Sequence, residues 1–204
     1  MIAIIDYGVG NLFSLRSSLK YIGRDVVVTG DPHIIGECDR IILPGVGAFE
    51  DAAGKLRSGG LDETVAREAK KGKPLLGVCL GMQMLFEKSF EFGEHEGLGL
   101  LRGVVAPIKP SIPEGYKIPH IGWNALRFPD SGKSPIFKYI REGDHVYFVH
   151  SYHAEGCEDT VIATAEYGAE LTAAVASGNV FGTQFHPEKS GVVGLGILKA
   201  FAEL

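Results

Sequence analysis

Pro74-Leu75-Leu76-Gly77-Val78-Cys79-Leu80-Gly81-Met82-Gln83 is the stretch whose reading decides the fold. It opens as a short, nearly all-apolar run, Pro74–Cys79, and breaks at Leu80-Gly81. A run of this length with apolar residues at consecutive positions fits a strand covered on both faces. The arrangement recurs twice upstream. Met1–Asp6 leads into Tyr7-Gly8-Val9-Gly10-Asn11, and Arg40–Leu43 leads into Pro44-Gly45-Val46-Gly47. Helical patterns lie between these runs: Leu12, Leu15, Leu19 and Ile22 mark one face, Leu61, Val65 and Ala69 another, and Met84-Leu85 opens a third. Strands that alternate with helices predict an α/β fold, an open, mostly parallel sheet flanked by helices. In such a sheet the loops after the strands emerge at the carboxyl edge, where ligands bind. The three glycine-rich loops are therefore expected on one edge.

The second half reads differently. Val104–Ile108, Ala125–Phe128, His145–Val149, Val161–Glu166, Ala173–Ala176 and Val180–Phe185 follow one another as strands, an added antiparallel region. Ser177-Gly178-Asn179 joins the last two as a hairpin signal. Ser190 starts a final helix that ends near Leu204, and proline-rich residues 109–116 form a surface loop. No linker, repeat or low-complexity tract divides the chain, so residues 1–204 are expected to form a single domain, a common size for one α/β core.

Composition excludes several function classes. The chain is 45% hydrophobic and 22% charged with a net charge of -5, and it has no basic run or arm of the kind that binds nucleic acid. No apolar stretch approaches the roughly 20 residues that span a bilayer, and the short apolar N-terminus lacks the basic lead of a signal peptide. The three cysteines, Cys38, Cys79 and Cys157, are odd in number and none pair as CxxC, which speaks against disulfides or zinc and for a reducing cytoplasm. His33, His95, His120, His145, His150 and His153 show no metal spacing, and Tyr7-Gly8-Val9-Gly10-Asn11 lacks the G-x-G-x-x-G spacing of a dinucleotide loop. No metal or cofactor is expected.

The chemistry concentrates at three places. Gly77-Val78-Cys79-Leu80-Gly81 is a G-x-nucleophile-x-G elbow with cysteine at its centre, placed where a buried strand meets a helix. The helix N-terminus is expected to favour a thiolate, which matters because a free thiol, with a pKa of about 8.5, is largely protonated at neutral pH. His186-Pro187-Glu188 follows an apolar run. A nucleophilic cysteine needs a base, and the base needs an orienting acceptor. Pro187 biases His186 to extended geometry, and residues two apart in an extended segment share a side, which puts Glu188 within reach of the imidazole. Pro44-Gly45-Val46-Gly47 can present backbone N–H groups to a developing oxyanion, together with the N–H of Leu80.

Gly77–Gln83 together with His186-Pro187-Glu188 resembles the class I, triad-type glutamine amidotransferases. Asp6–Asn11, Pro44–Phe49, Pro119–Asn124, Tyr147–Tyr152 and Gly182–Ser190 narrow the resemblance, across essentially the whole chain, to the glutaminase subunits of imidazole glycerol phosphate synthase. The resemblance implies a flavodoxin-like fold. It implies Cys79 as nucleophile, His186 as base and Glu188 as its orienting group. Val46, Gly47 and Leu80 would form the oxyanion hole, and Gln83, His150, Ser151 and Tyr152 would bind glutamine. It implies a heterodimer with a barrel cyclase subunit that uses the ammonia in histidine biosynthesis, contacted through Asn11, Trp123, Asn124, Tyr147 and Lys189. Members of the family hydrolyse glutamine slowly until the partner holds its ligand.

Overall fold

All three apolar runs become strands in the computed structural model, which describes residues 1–204. In chain order the elements are β1 (Ile2–Ile5), α1 (Leu12–Tyr21), β2 (Val26–Thr29), α2 (Pro32–Glu37), β3 (Arg40–Leu43), α3 (Phe49–Ser58), α4 (Leu61–Lys70), β4 (Leu75–Val78) and α5 (Leu80–Gln83). There follow β5 (Lys88–Ser89), β6 (His95–Glu96), β7 (Val104–Pro107), β8 (His120–Arg127), β9 (His145–His150), β10 (Tyr152–Glu155), β11 (Val161–Glu166), β12 (Glu170–Ser177), β13 (Val180–Thr183) and α6 (Gly191–Phe201). The main sheet is ordered β2-β1-β3-β4-β13-β12-β11-β8-β9, and a small second sheet is ordered β10-β7-β5-β6. Pairing is parallel from β2 to β13 and antiparallel from β13 to β9. This is the expected open α/β sheet with its antiparallel extension.

The apolar runs are strands because both faces are covered. Ala3 and Ile5 of β1 join one core layer, with Leu43, Leu75 and helices α3 and α4. Ile2 and Ile4 join the other, with Leu76, Val78 and helices α1 and α6. Each such aliphatic side chain contributes about 1.5–3 kcal/mol when fully buried, so a strand buried along its whole length is held firmly on both sides. The hairpin between β12 and β13 turns at Gly178-Asn179, with Gly178 at φ 57°. The Asn179 side chain locks the turn by donating to the carbonyls of Ala69 and Lys73, each at 2.8 Å.

Several elements depart from the sequence expectation. The helical pattern at Met84-Leu85 does not start a helix: α5 is a single turn that ends at Gln83, and Met84 and Leu85 pack into the core beyond it. Residues 109–116 are a loop apart from a 3-10 turn at Lys109–Ser111, and Ile112 pins it to Ile108 and Leu171. Apolar patterning did not single out β2, α2, α3, β5, β6 or β10.

The three glycine-rich loops meet at the carboxyl edge, as expected. A Cβ on Gly10 would lie 2.8 Å from Pro44 Cβ, and one on Gly45 would lie 2.7 Å from the Gly81 nitrogen. The Tyr7 hydroxyl donates to the Pro44 carbonyl at 2.6 Å and ties the first loop to the second.

Candidate active site

Cys79 occupies the turn between β4 and α5 with φ 54° and ψ -112°. A residue with a side chain holds such a conformation at a cost of about 1–3 kcal/mol, and only where its surroundings enforce it. They do so here. A Cβ on Gly77 would come 2.6 Å from the Gly81 carbonyl oxygen, and one on Gly81 would strike the Leu43 carbonyl. The Cys79 N–H is held at 2.7 Å by the Thr183 carbonyl of the neighbouring strand β13.

His186 lies just beyond β13 and is buried. Its N–H donates to the Tyr147 carbonyl at 3.0 Å. Its carbonyl accepts from Ser190 Oγ at 2.6 Å, and Ser190 Oγ in turn accepts from the Tyr147 N–H at 3.0 Å. With the backbone fixed, Nδ1 meets Glu188 Oε1 at 2.9 Å, which leaves Nε2 to face the neighbouring Cys79 thiol. Burial opposes a charged imidazole. Hydrogen bonds to Cys79 and Glu188, and their negative charge, outweigh it and push the His186 pKa up to about 9. The imidazolium is thus favoured beside a thiolate and a carboxylate, the charge arrangement that follows proton transfer from sulfur to nitrogen.

Two expectations need correction. Glu188 reaches the imidazole, but not through an extended segment: Pro187–Lys189 is a 3-10 turn, and only His186 is extended. The four-residue α5 also cannot supply the helix dipole expected to favour a thiolate, because a single turn aligns few peptide dipoles.

A cavity of about 200 Å³ opens beside the sulfur, lined by Gly47, Cys79, Leu80, Gln83, Glu91, Pro119, Val149, His150, Ser151 and Tyr152. It brings together Gly47, Leu80, Gln83, His150, Ser151 and Tyr152 from the sequence expectation. Gly47 has φ 90°, whereas Val46 stays outside the lining and is partly exposed. The Glu91 carboxylate also accepts from the Phe49 N–H at 2.6 Å, which fastens the wall to the start of α3. A larger depression of about 680 Å³ runs past His153, Cys157 and Glu170. His153 pairs with Glu155 there at 2.9 Å, but burial raises the Cys157 thiol in the same wall.

Behind the cavity runs a buried polar relay. Gln83 Nε2 donates to the Tyr152 carbonyl at 3.2 Å and to Gln184 Oε1 at 3.0 Å. His150 Nδ1 also donates to the Tyr152 carbonyl, at 2.9 Å, and His150 Nε2 meets His120 Nδ1 at 3.0 Å. Burial pushes the His150 pKa down to about 3, so this ring is neutral. Glu91, Tyr7 and Gln184 carried no signal of their own in the sequence; a lone acid, phenol or amide has no spacing to betray it.

The residues expected at a partner surface divide. Trp123 is half-exposed; its ring centre is 5.9 Å from that of Tyr147, over which Lys189 Nζ sits at 5.8 Å. Asn11 precedes α1 without a side-chain capping bond, and α1 packs on the Pro187–Lys189 turn. Asn124 is half-buried: Oδ1 meets His120 Nε2 at 2.7 Å and Nδ2 donates to the Glu166 carbonyl at 2.8 Å. Its amide is committed within the sheet.

The family model for class I glutamine amidotransferases matches residues 3–202. The imidazole glycerol phosphate synthase subunit HisH of Caldanaerobacter subterraneus subsp. tengcongensis is 51% identical, with 100% of this chain and 98% of that protein covered. The chain belongs to the class I glutamine amidotransferases, in the HisH family. The HisH subunit of Wolinella succinogenes is 50% identical with both chains fully covered (100% each). Solved structures share the fold. A glutamine amidotransferase crystal structure superposes with a TM-score of 0.76 at 19% identity, over 100% of both chains. PurLQS from Thermotoga maritima gives 0.74 at 22% identity, over 99% of this chain and 97% of that one. The glutamine amidotransferase fold thus carries its cysteine, histidine and glutamate to one end of the sheet.

Proposed function

We propose that this HisH-family chain hydrolyses glutamine to glutamate and ammonia at Cys79 and supplies the ammonia to the barrel cyclase subunit of imidazole glycerol phosphate synthase. The observation that carries the chemistry is the strained Cys79 held against the His186–Glu188 pair. His186 Nε2 takes the thiol proton, and the sulfur attacks the side-chain amide carbon of glutamine. The oxyanion receives backbone N–H groups from Leu80 and from the Val46-Gly47 loop; one such donor is typically worth about 10²–10³ in rate. His186 gives its proton to the departing nitrogen, and ammonia leaves a γ-glutamyl thioester. A water then attacks this ester with His186 as base, and glutamate is released with the thiol restored. Glu188 holds the ring in place and balances its charge throughout.

The cavity supplies the rest. Glu91 is the acidic side chain in its wall and is the natural counter-charge for the substrate ammonium. Gln83 spends its nitrogen on Tyr152 and Gln184 and keeps Oε1 for the ligand. His150, Ser151 and Tyr152 close the other side. Residues 1–204 act as one glutamine amidotransferase domain. No helix is long and apolar enough to cross a membrane, and we place the enzyme in the cytoplasm as a heterodimer. Trp123, Tyr147, Lys189 and Asn11 form the docking face, and Asn124 stiffens it from behind. The partner uses the ammonia to make imidazole glycerol phosphate and an aminoimidazole carboxamide ribotide in histidine biosynthesis.

The test is glutamate release by the purified chain with a barrel cyclase, with and without the cyclase's ribonucleotide ligand. The proposal expects slow turnover alone and strong stimulation by the liganded partner. Equal turnover in all mixtures would remove the partner from the account.

A further inference from the structure

We infer that Gln184 is the hydrogen-bond donor that holds the Cys79 thiolate, in addition to His186. The inference rests on the reading of Cys79 as nucleophile. Gln184 is fully buried, and its Nε2 lies 3.8 Å from Cys79 Sγ. An amide can face a sulfur with either end, and the surrounding bonds decide which. The Tyr152 carbonyl can only accept, so the Gln83 end that meets it is the nitrogen. That same nitrogen lies 3.0 Å from Gln184, which must therefore present its oxygen there. The remaining end of Gln184, the N–H group, is turned to the sulfur. The backbone leaves no slack, because the Gln184 N–H donates to the Ala173 carbonyl at 2.8 Å and Thr183 beside it holds Cys79.

A donor in this place acts on one protonation state. A thiol is a weak acceptor, whereas a thiolate accepts strongly, so an N–H aimed at sulfur favours the ionised form. The charged and titratable groups around Cys79 are His186, Glu188 behind it, the Tyr7 phenol, and, in the same cavity, Glu91, the Tyr152 phenol and His150, which burial keeps neutral. Of these, two are carboxylates that oppose a second negative charge, and only His186 becomes positive. With α5 reduced to a single turn, the helix end offers little help. Gln184 fills that need. The 3.8 Å contact is long for the resting thiol and shortens as charge develops on the sulfur.

Iodoacetamide alkylation of Cys79, followed across pH by peptide mapping, tests this in the full chain. Gln184→Met keeps the volume and removes the donor. Gln184→Glu keeps the oxygen that Gln83 needs and turns a second oxygen on the sulfur. Loss of one such hydrogen bond is expected to move the alkylation midpoint of Gln184→Met upward by about one pH unit, a tenfold slowing at neutral pH, and that of Gln184→Glu further. A purely structural residue would lower the melting temperature without displacing the profile, so profiles that overlay the wild type overturn the inference. Should neither variant fold, wild-type protein carrying 15N-labelled glutamine gives the answer. The Gln184 side-chain amide protons must move in step with Cys79 ionisation, and indifference to it refutes the proposal. Undiminished glutamate release by Cys79→Ala would instead remove the underlying reading of the nucleophile, an outcome separate from either of these.

Discussion

Strands β1 and β4 are buried at every residue, whereas β8 and β9 alternate between buried and open positions. The first pair sits in the parallel half of the sheet, with apolar layers on both faces. The second pair, in the antiparallel half, carries the buried polar relay through His120, Asn124 and His150 and leaves Trp123 half-exposed. The proposed nucleophile, Cys79, comes from the parallel half, on the β4 turn. The Val149–Tyr152 side of the pocket, the backbone that grips His186, and the Trp123–Tyr147 pair of the proposed docking face come from the antiparallel half. The two halves join at β13, and His186 follows directly from it. A rigid parallel frame can enforce the strained elbow, while the more polar half can read a substrate and a partner.

Substitutions in the two halves should therefore fail in different ways. The largest effect is expected at the seam. Glu188→Gln keeps the size but loses the charge that steadies the His186 imidazolium, and steady-state glutaminase assays should show turnover lower by about 10²–10⁴-fold with little loss of stability. In the parallel frame, Gly81→Ala drives a Cβ into the Leu43 carbonyl. Urea unfolding should register a destabilisation of about 3 kcal/mol, with activity lost alongside it. In the antiparallel half, Trp123→Ala should leave unfolding within about 1 kcal/mol of wild type yet weaken titration with the barrel cyclase by at least about tenfold. Equal effects of Gly81→Ala and Trp123→Ala on stability would erase the contrast.

The smallest effect lies on α4, away from the site. Glu68 accepts from Lys71 and from Lys73, and its pKa is depressed from 4.5 to about 2. A carboxylate with a depressed folded pKa contributes stability that is complete above its unfolded value and is lost as pH falls through the folded one. The melting temperature of wild type should therefore fall more steeply than that of Glu68→Gln between about pH 5 and pH 3.

The parallel half was legible because its signals are local. Gly77, Gly81 and the Pro44–Gly47 loop follow apolar runs directly, and their placement on one edge follows from the fold class. The His186–Glu188 pairing was also legible, although through the wrong backbone: the turn at Pro187 does what an extended segment was expected to do. The antiparallel half yielded less. Tyr152–Glu155 mixes aromatic, basic, small and acidic residues, so β10 shows no period at all. Nothing in the chain reveals that the Asn124 amide is taken by His120 and Glu166. Gln184 was hidden for the same reason: its partners, Cys79 and Gln83, lie about a hundred residues upstream. Roles set by long-range hydrogen bonds emerge only once the sheet is folded.

The most direct test of the central claim is to treat the chain with an electrophilic diazoketone analogue of glutamine and locate the adduct by peptide mass spectrometry. The account predicts one adduct, on Cys79, blocked by excess glutamine, with Cys38 and Cys157 untouched because burial raises both thiols and neither adjoins the cavity. Modification of Cys38 or Cys157 with loss of glutaminase activity, while Cys79 stays free, would contradict it.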